Sequence, residues 1–70
     1  MTQDQLDNWF SYHAPEGDDL ERYAKLRSAG KVFAETINEC CPESADKTAA
    51  VRKVREAVMT ANASIACRGK

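Results

Sequence analysis

The 70 residues carry 10 Lys and Arg against 11 Asp and Glu, a net charge of −1, with three cysteines, two Phe, two Tyr and one Trp. Such a balance argues against a protein that grips long nucleic acid through counterion release. No apolar run is long enough for a bilayer span or a signal-peptide core, which points to the cytosol. A chain this short buries only about 60% of its unfolded surface as a monomer, so self-association is expected.

Thr2 followed by Gln5 reads as a capping box, and Leu6, Trp9 and Phe10 recur at three- and four-residue spacing. This predicts a short first helix over about residues 3–11. Pro15 and Gly17 then punctuate a turn. Asp18 with Glu21 suggests a second N-cap, followed by a long helix over about 19–41 whose face is traced by Leu20, Tyr23, Leu26, Gly30, Phe33, Ile37 and Cys41. Pro42 ends it. Ser44 is placed to cap a third helix, about 45–67, in which Val51, Val54, Val58, Ala61 and Ile65 keep the three-four spacing of a packed seam.

With only Pro42 and Glu43 between them, the long helices should fold back as an antiparallel hairpin, the first helix lying near its open end. The fold class expected is all-α, one domain spanning residues 1–70. That arrangement carries Arg68 towards the start of the second helix, near Asp18 to Arg22, and separates Cys67 from Cys41 by a helix length. The odd cysteine count without paired spacing predicts reduced thiols and no metal site. Gly30 within a helix costs about 1 kcal/mol relative to Ala, so another helix should approach it closely. The Ala-rich third helix suits both that approach and packing against a second subunit.

Aromatic and cationic groups concentrate in the stretch from Phe10 to Asp18 and at Arg22, Tyr23 and Arg27. Rings offer faces for a base, and a guanidinium offers a planar fork for phosphate. This is the expected ligand surface.

The patterns Phe10-x-Tyr12-His13-x-Pro15-x-Gly17-Asp18, Arg22-Tyr23-x-x-Leu26-Arg27, Cys41-Pro42-x-Ser44 and Ala61-Asn62-Ala63-x-Ile65-Ala66 follow in that order over nearly the whole chain. This set resembles the small bacteriophage anti-CBASS sponge proteins, whose helical hairpin is related to one in phage inhibitors of Thoeris defence. The resemblance implies a homohexamer in the cytoplasm of an infected bacterial host, sequestering cyclic oligonucleotide alarm signals without cleaving them and needing no cofactor. It further implies a cyclic dinucleotide pocket between subunits, with Tyr12 stacking on a base, His13 beside it and Arg27 on phosphate. A separate cyclic trinucleotide pocket would use Arg68. Some relatives carry a hydroxyl residue where this chain has Ala29, which has no hydrogen bond to donate.

Without the resemblance, each residue has a structural reading. Tyr12 would anchor the first helix, half-buried. His13 would be a loop residue or a helix C-cap, and Arg27 would pair with a neighbouring carboxylate. Arg68 and Lys70 would answer the macrodipole of the third helix, and Asn62 would set interhelical register through a hydrogen bond. No base, nucleophile and metal constellation suggests an enzyme. The rival to a nucleotide binder is a helical module that docks another protein on the exposed apolar face of the hairpin.

Overall fold

The computed structural model describes residues 1–70, which form three helices and no strand: α1 (Gln3–Trp9), α2 (Asp19–Cys40) and α3 (Ala45–Ala66). The helix starts follow the expected chemistry in two cases. Thr2 Oγ1 accepts from Gln5 N–H at 3.1 Å, and Ser44 Oγ accepts from Lys47 N–H at 3.1 Å. At α2 the expected N-cap differs. Asp18 makes no side-chain cap and instead pairs with Arg22 one turn on, 3.1 Å away.

Each helix closes one or two residues before its expected end. In α1 the Ser11 hydroxyl takes the carbonyl of Asp7, so the backbone ladder ends with the Phe10 N–H on Leu6 O and the helix closes at Trp9. In α2, Cys41 is extended (φ −106°, ψ 138°), the conformation imposed on a residue preceding proline.

The end of α3 is a Schellman motif. Gly69 N–H bonds Ser64 O at 2.9 Å and Arg68 N–H bonds Ile65 O at 3.1 Å. The left-handed position of that motif, which favours glycine, is held here by Arg68 with φ 56°. Gly69 follows it, also at positive φ.

α2 and α3 pack as the antiparallel hairpin, and α1 lies at its open end. Asn8 Nδ2 reaches the carbonyl of Cys67 at 3.5 Å, and Trp9 Nε1 reaches that of Lys70 at 3.4 Å. Gly30 is the point of closest approach: a Cβ built there would lie 2.5 Å from Val58 Cγ2. The neighbour that Gly30 admits is therefore the chain's own α3, and its smallness says nothing about a second subunit.

The hairpin half-buries a narrow stripe, Tyr23, Leu26, Gly30 and Ile37 against Val54 and Val58. Leu20, Phe33 and Cys41, expected on the same face, stay exposed because two helices can cover only one stripe of each other. No apolar side chain is fully buried, and Phe10 is 83% exposed. The radius of gyration is 15.1 Å, against about 11 Å for a compact chain of this length. A single copy is thus a flat, elongated hairpin, 44 × 28 × 15 Å, without a closed core.

Candidate functional site

The junction between α1 and α2 is built by residues that finish one helix and start the next. After Ser11 takes the carbonyl of Asp7, His13 Nε2 lies 2.6 Å from the carbonyl of Asn8. A carbonyl only accepts, so Nε2 carries the proton and Nδ1 is left free in the neutral ring. His13 therefore works as a C-cap of α1, and its half-buried ring fixes the loop that presents Tyr12. Tyr12 itself is 87% exposed. This overturns the reading of Tyr12 as a half-buried anchor and leaves a ring face open.

The fully buried residue of the chain is a charged one. Asp19, the first residue of α2, is 2% exposed and receives both Nη atoms of Arg68, at 2.9 Å and 2.8 Å. It also accepts the backbone N–H of Glu16 at 2.9 Å. These bonds to the charged form, Arg68 first and the Glu16 N–H second, pull the Asp19 carboxyl from 3.8 down to about 2 against the opposing effect of burial. The same pairing raises the pKa of Arg68. A second carboxylate, Glu16, stands 3.2 Å from Arg68 Nη2. Arg68 thus ties the C-terminus to the start of α2, as the hairpin topology predicts, and its partner is a side-chain carboxylate in addition to any macrodipole of α3.

Tyr12, His13, Glu16, Arg68 and Lys70 line one hollow of about 390 Å³. Arg27 is not among its walls. It lies further along α2, in a groove with Tyr23, Met59 and Asn62. Ala29 lines a third, apolar groove between α2 and α3 with Leu26, Phe33 and Lys53. Eight and ten residues beyond Asp19, these positions stand roughly 12 and 15 Å along the helix axis from it. Within one copy, then, Tyr12 and His13 are grouped with Arg68 and separated from Arg27, and Arg68 is separated from Ala29. The distance in sequence between Tyr12 and Arg68 does not part them in space.

Asn62 departs from its expected role. Its Oδ1 is inaccessible to solvent and has no hydrogen-bond partner, so the register-setting bond across the seam is absent. A buried unpartnered amide oxygen is costly, and this one lies beside the groove of Tyr23 and Arg27. His13 caps α1 at the open end, while Cys40 and Cys41 lie at the other end of the hairpin, where α2 gives way to the turn.

Sequence reasoning missed Asp19 and Glu16. The signal was the tandem Asp18-Asp19: the pair reads as an N-cap with a spare acid, whereas the spare acid is the one the fold buries.

The Acb2/Tad1 hairpin-domain family matches residues 2–66 of the chain. No curated protein and no solved structure matches it. No helix is long and apolar enough to cross a membrane. With the match spanning all three helices and the junction that carries Tyr12, the chain belongs to the Acb2/Tad1 hairpin-domain family, that of the anti-CBASS and anti-Thoeris sponges.

Proposed function

We propose that this chain is an anti-defence sponge that binds cyclic dinucleotides, and cyclic trinucleotides at a second place, without cleaving them. The observation that carries the reading is the Tyr12 ring, presented 87% exposed on a junction pinned by His13, in a chain whose family match covers residues 2–66. Stacking on an exposed ring and pairing of phosphate with a guanidinium supply affinity without any catalytic group. Tyr12 and His13 form the base side of the dinucleotide pocket and Arg27 the phosphate side. Since one copy keeps Arg27 out of the Tyr12 hollow, the pocket closes between copies, Arg27 coming from a neighbour. Arg68 is the phosphate contact for trinucleotides, and since one copy keeps Ala29 in a different groove, Ala29 contributes shape there only from a neighbouring copy and without a hydrogen bond.

Assembly follows from the same economy. A chain with no buried apolar side chain and with Phe10, Leu20, Phe33 and Met59 exposed lacks the burial that normally offsets chain entropy. Self-association into a homo-oligomer, a hexamer on the family resemblance, covers those surfaces. The protein acts in the cytoplasm of the infected host, where the signals are made.

The exposed apolar side chains also favour a second reading, a helical module that docks a different protein and binds no nucleotide. One experiment separates the two. The purified chain is mixed with a cyclic dinucleotide and passed over a size-exclusion column, and the ligand is recovered after denaturation. Co-elution followed by intact release supports the sponge. Elution of free ligand favours the docking module, and a linearised product would mean cleavage.

A further inference from the structure

Arg68 is held by two carboxylates that differ in every property that decides whether they can let go. Asp19 is 2% exposed, sits on the rigid first turn of α2, and bonds both Nη atoms while also accepting the Glu16 N–H. Removing its charge would leave the guanidinium without its fork partner. Glu16 lies in the loop with its side chain 77% exposed, and reaches Nη2, already shared with Asp19, at 3.2 Å. An exposed, singly bonded ion pair of that kind contributes little. The Nε–H of Arg68 makes no hydrogen bond within the chain, and Glu16 forms part of the same hollow as Tyr12, His13 and Lys70.

The backbone carries a second sign that Arg68 is placed for its side chain. It occupies the left-handed position of the Schellman motif, where glycine would be free of strain, with φ 56°. A side chain kept at a position that disfavours one points to a role for that side chain.

We propose, resting on the reading of Arg68 as a phosphate contact, that the two carboxylates control this site in opposite senses. Asp19 is the positioning residue that holds the guanidinium in the hollow. Glu16 is an exchangeable counter-ion that covers Arg68 in the empty protein and is displaced by an entering phosphate. A phosphate oxygen pair suits the free edge of a guanidinium fork. Its charge would repel a carboxylate left beside it, so entry turns Glu16 out into solvent while Asp19 stays. Lys70, on the same hollow, supplies a second cation once Glu16 has left.

The test uses the full-length chain labelled with nitrogen-15, following the Arg68 Nε–H signal during titration with cyclic triadenylate and, separately, with inorganic tripolyphosphate. Glu16→Gln should tighten binding of both probes about two- to fivefold, the scale of an exposed ion pair. Asp19→Asn should weaken both about tenfold or more, while circular dichroism still reports helix. In an Arg68→Ala background neither substitution should change the residual affinity. If Asp19→Asn fails to fold, the Glu16 arm decides by itself. Tripolyphosphate binding that responds to Glu16→Gln, with no binding of cyclic triadenylate, would uphold the counter-ion exchange and remove the trinucleotide reading. Unchanged or weaker binding of the probes in Glu16→Gln, or an Arg68 signal that moves with neither probe, overturns the proposal.

Discussion

Gly30 and Val58 face each other across the hairpin so closely that a single methyl on Gly30 would stand 2.5 Å from Val58 Cγ2. Gly30→Leu should therefore destabilise the hairpin itself, by about 1–3 kcal/mol or more, as overpacking does. Gly30→Ala gains about 1 kcal/mol of helix propensity but meets the same methyl, so its net effect should be smaller. Thermal melts of the single variants and of Gly30→Ala with Val58→Ala decide the matter. The double change should recover stability relative to Val58→Ala, and an unaltered melt in Gly30→Leu would contradict the close approach.

The bond between Asp19 and Arg68 predicts an acid-sensitive fold. Because the folded Asp19 carboxyl is depressed from 3.8 to about 2, its contribution is complete above about pH 4 and fades as pH falls through 2. Melting temperatures measured from pH 7 down to pH 2 should show the unmodified chain more stable than Asp19→Asn at neutral pH, the gap narrowing only below about pH 4. A gap that stays constant down to pH 2 would mean that the carboxylate charge is not what Asn lacks.

Light scattering should report a mass several times that of one chain at micromolar concentration, sixfold for a hexamer. The reason is the absence of any buried apolar side chain in a single copy. A persistent monomer that binds ligand with full affinity would remove the pocket shared between copies.

Tyr12→Ala should weaken cyclic dinucleotide binding by roughly 1–3 kcal/mol, the cost of losing one base–aromatic stack. Arg27→Ala should weaken it as well, and Arg27→Lys less so, since lysine keeps the charge and loses the fork. All three variants should keep the assembly of the unmodified chain, because neither side chain belongs to the half-buried hairpin stripe or to the large apolar surface that self-association covers. Calorimetry beside light scattering separates loss of binding from loss of assembly.

Arg68→Ala should reduce cyclic trinucleotide binding and spare dinucleotides, with Tyr12→Ala doing the reverse. The shared hollow makes this a demanding comparison, because Tyr12 and Arg68 are neighbours in one copy. Calorimetry of both variants with both ligand classes gives the answer. Equal losses for both ligands in both variants would mean one site instead of two.

Local chemistry made most of the fold legible in the sequence. Thr2 and Ser44 cap because a hydroxyl at that position answers an orphan N–H within three residues. Pro42 ends α2 because its ring constrains Cys41. The hairpin follows from a short connection, and Arg68 is brought beside the start of α2 by helix lengths that the apolar spacing fixes.

What the chain pattern could not tell was which of two adjacent acids faces inward, which carbonyl His13 would cap, and which sites share a hollow. Those outcomes depend on rotation about helix axes and on contacts between residues far apart in sequence. Asp19 and Arg68 are 49 residues apart, and only the folded hairpin makes one the partner of the other. The sequence by itself determined the helices, their order and their antiparallel pairing, since each rests on neighbours within a few residues. Tertiary structure alone decided that the buried side chain of the open end is the Asp19 carboxylate, because a charge is buried only where the fold brings it its counter-charge, here the half-exposed Arg68.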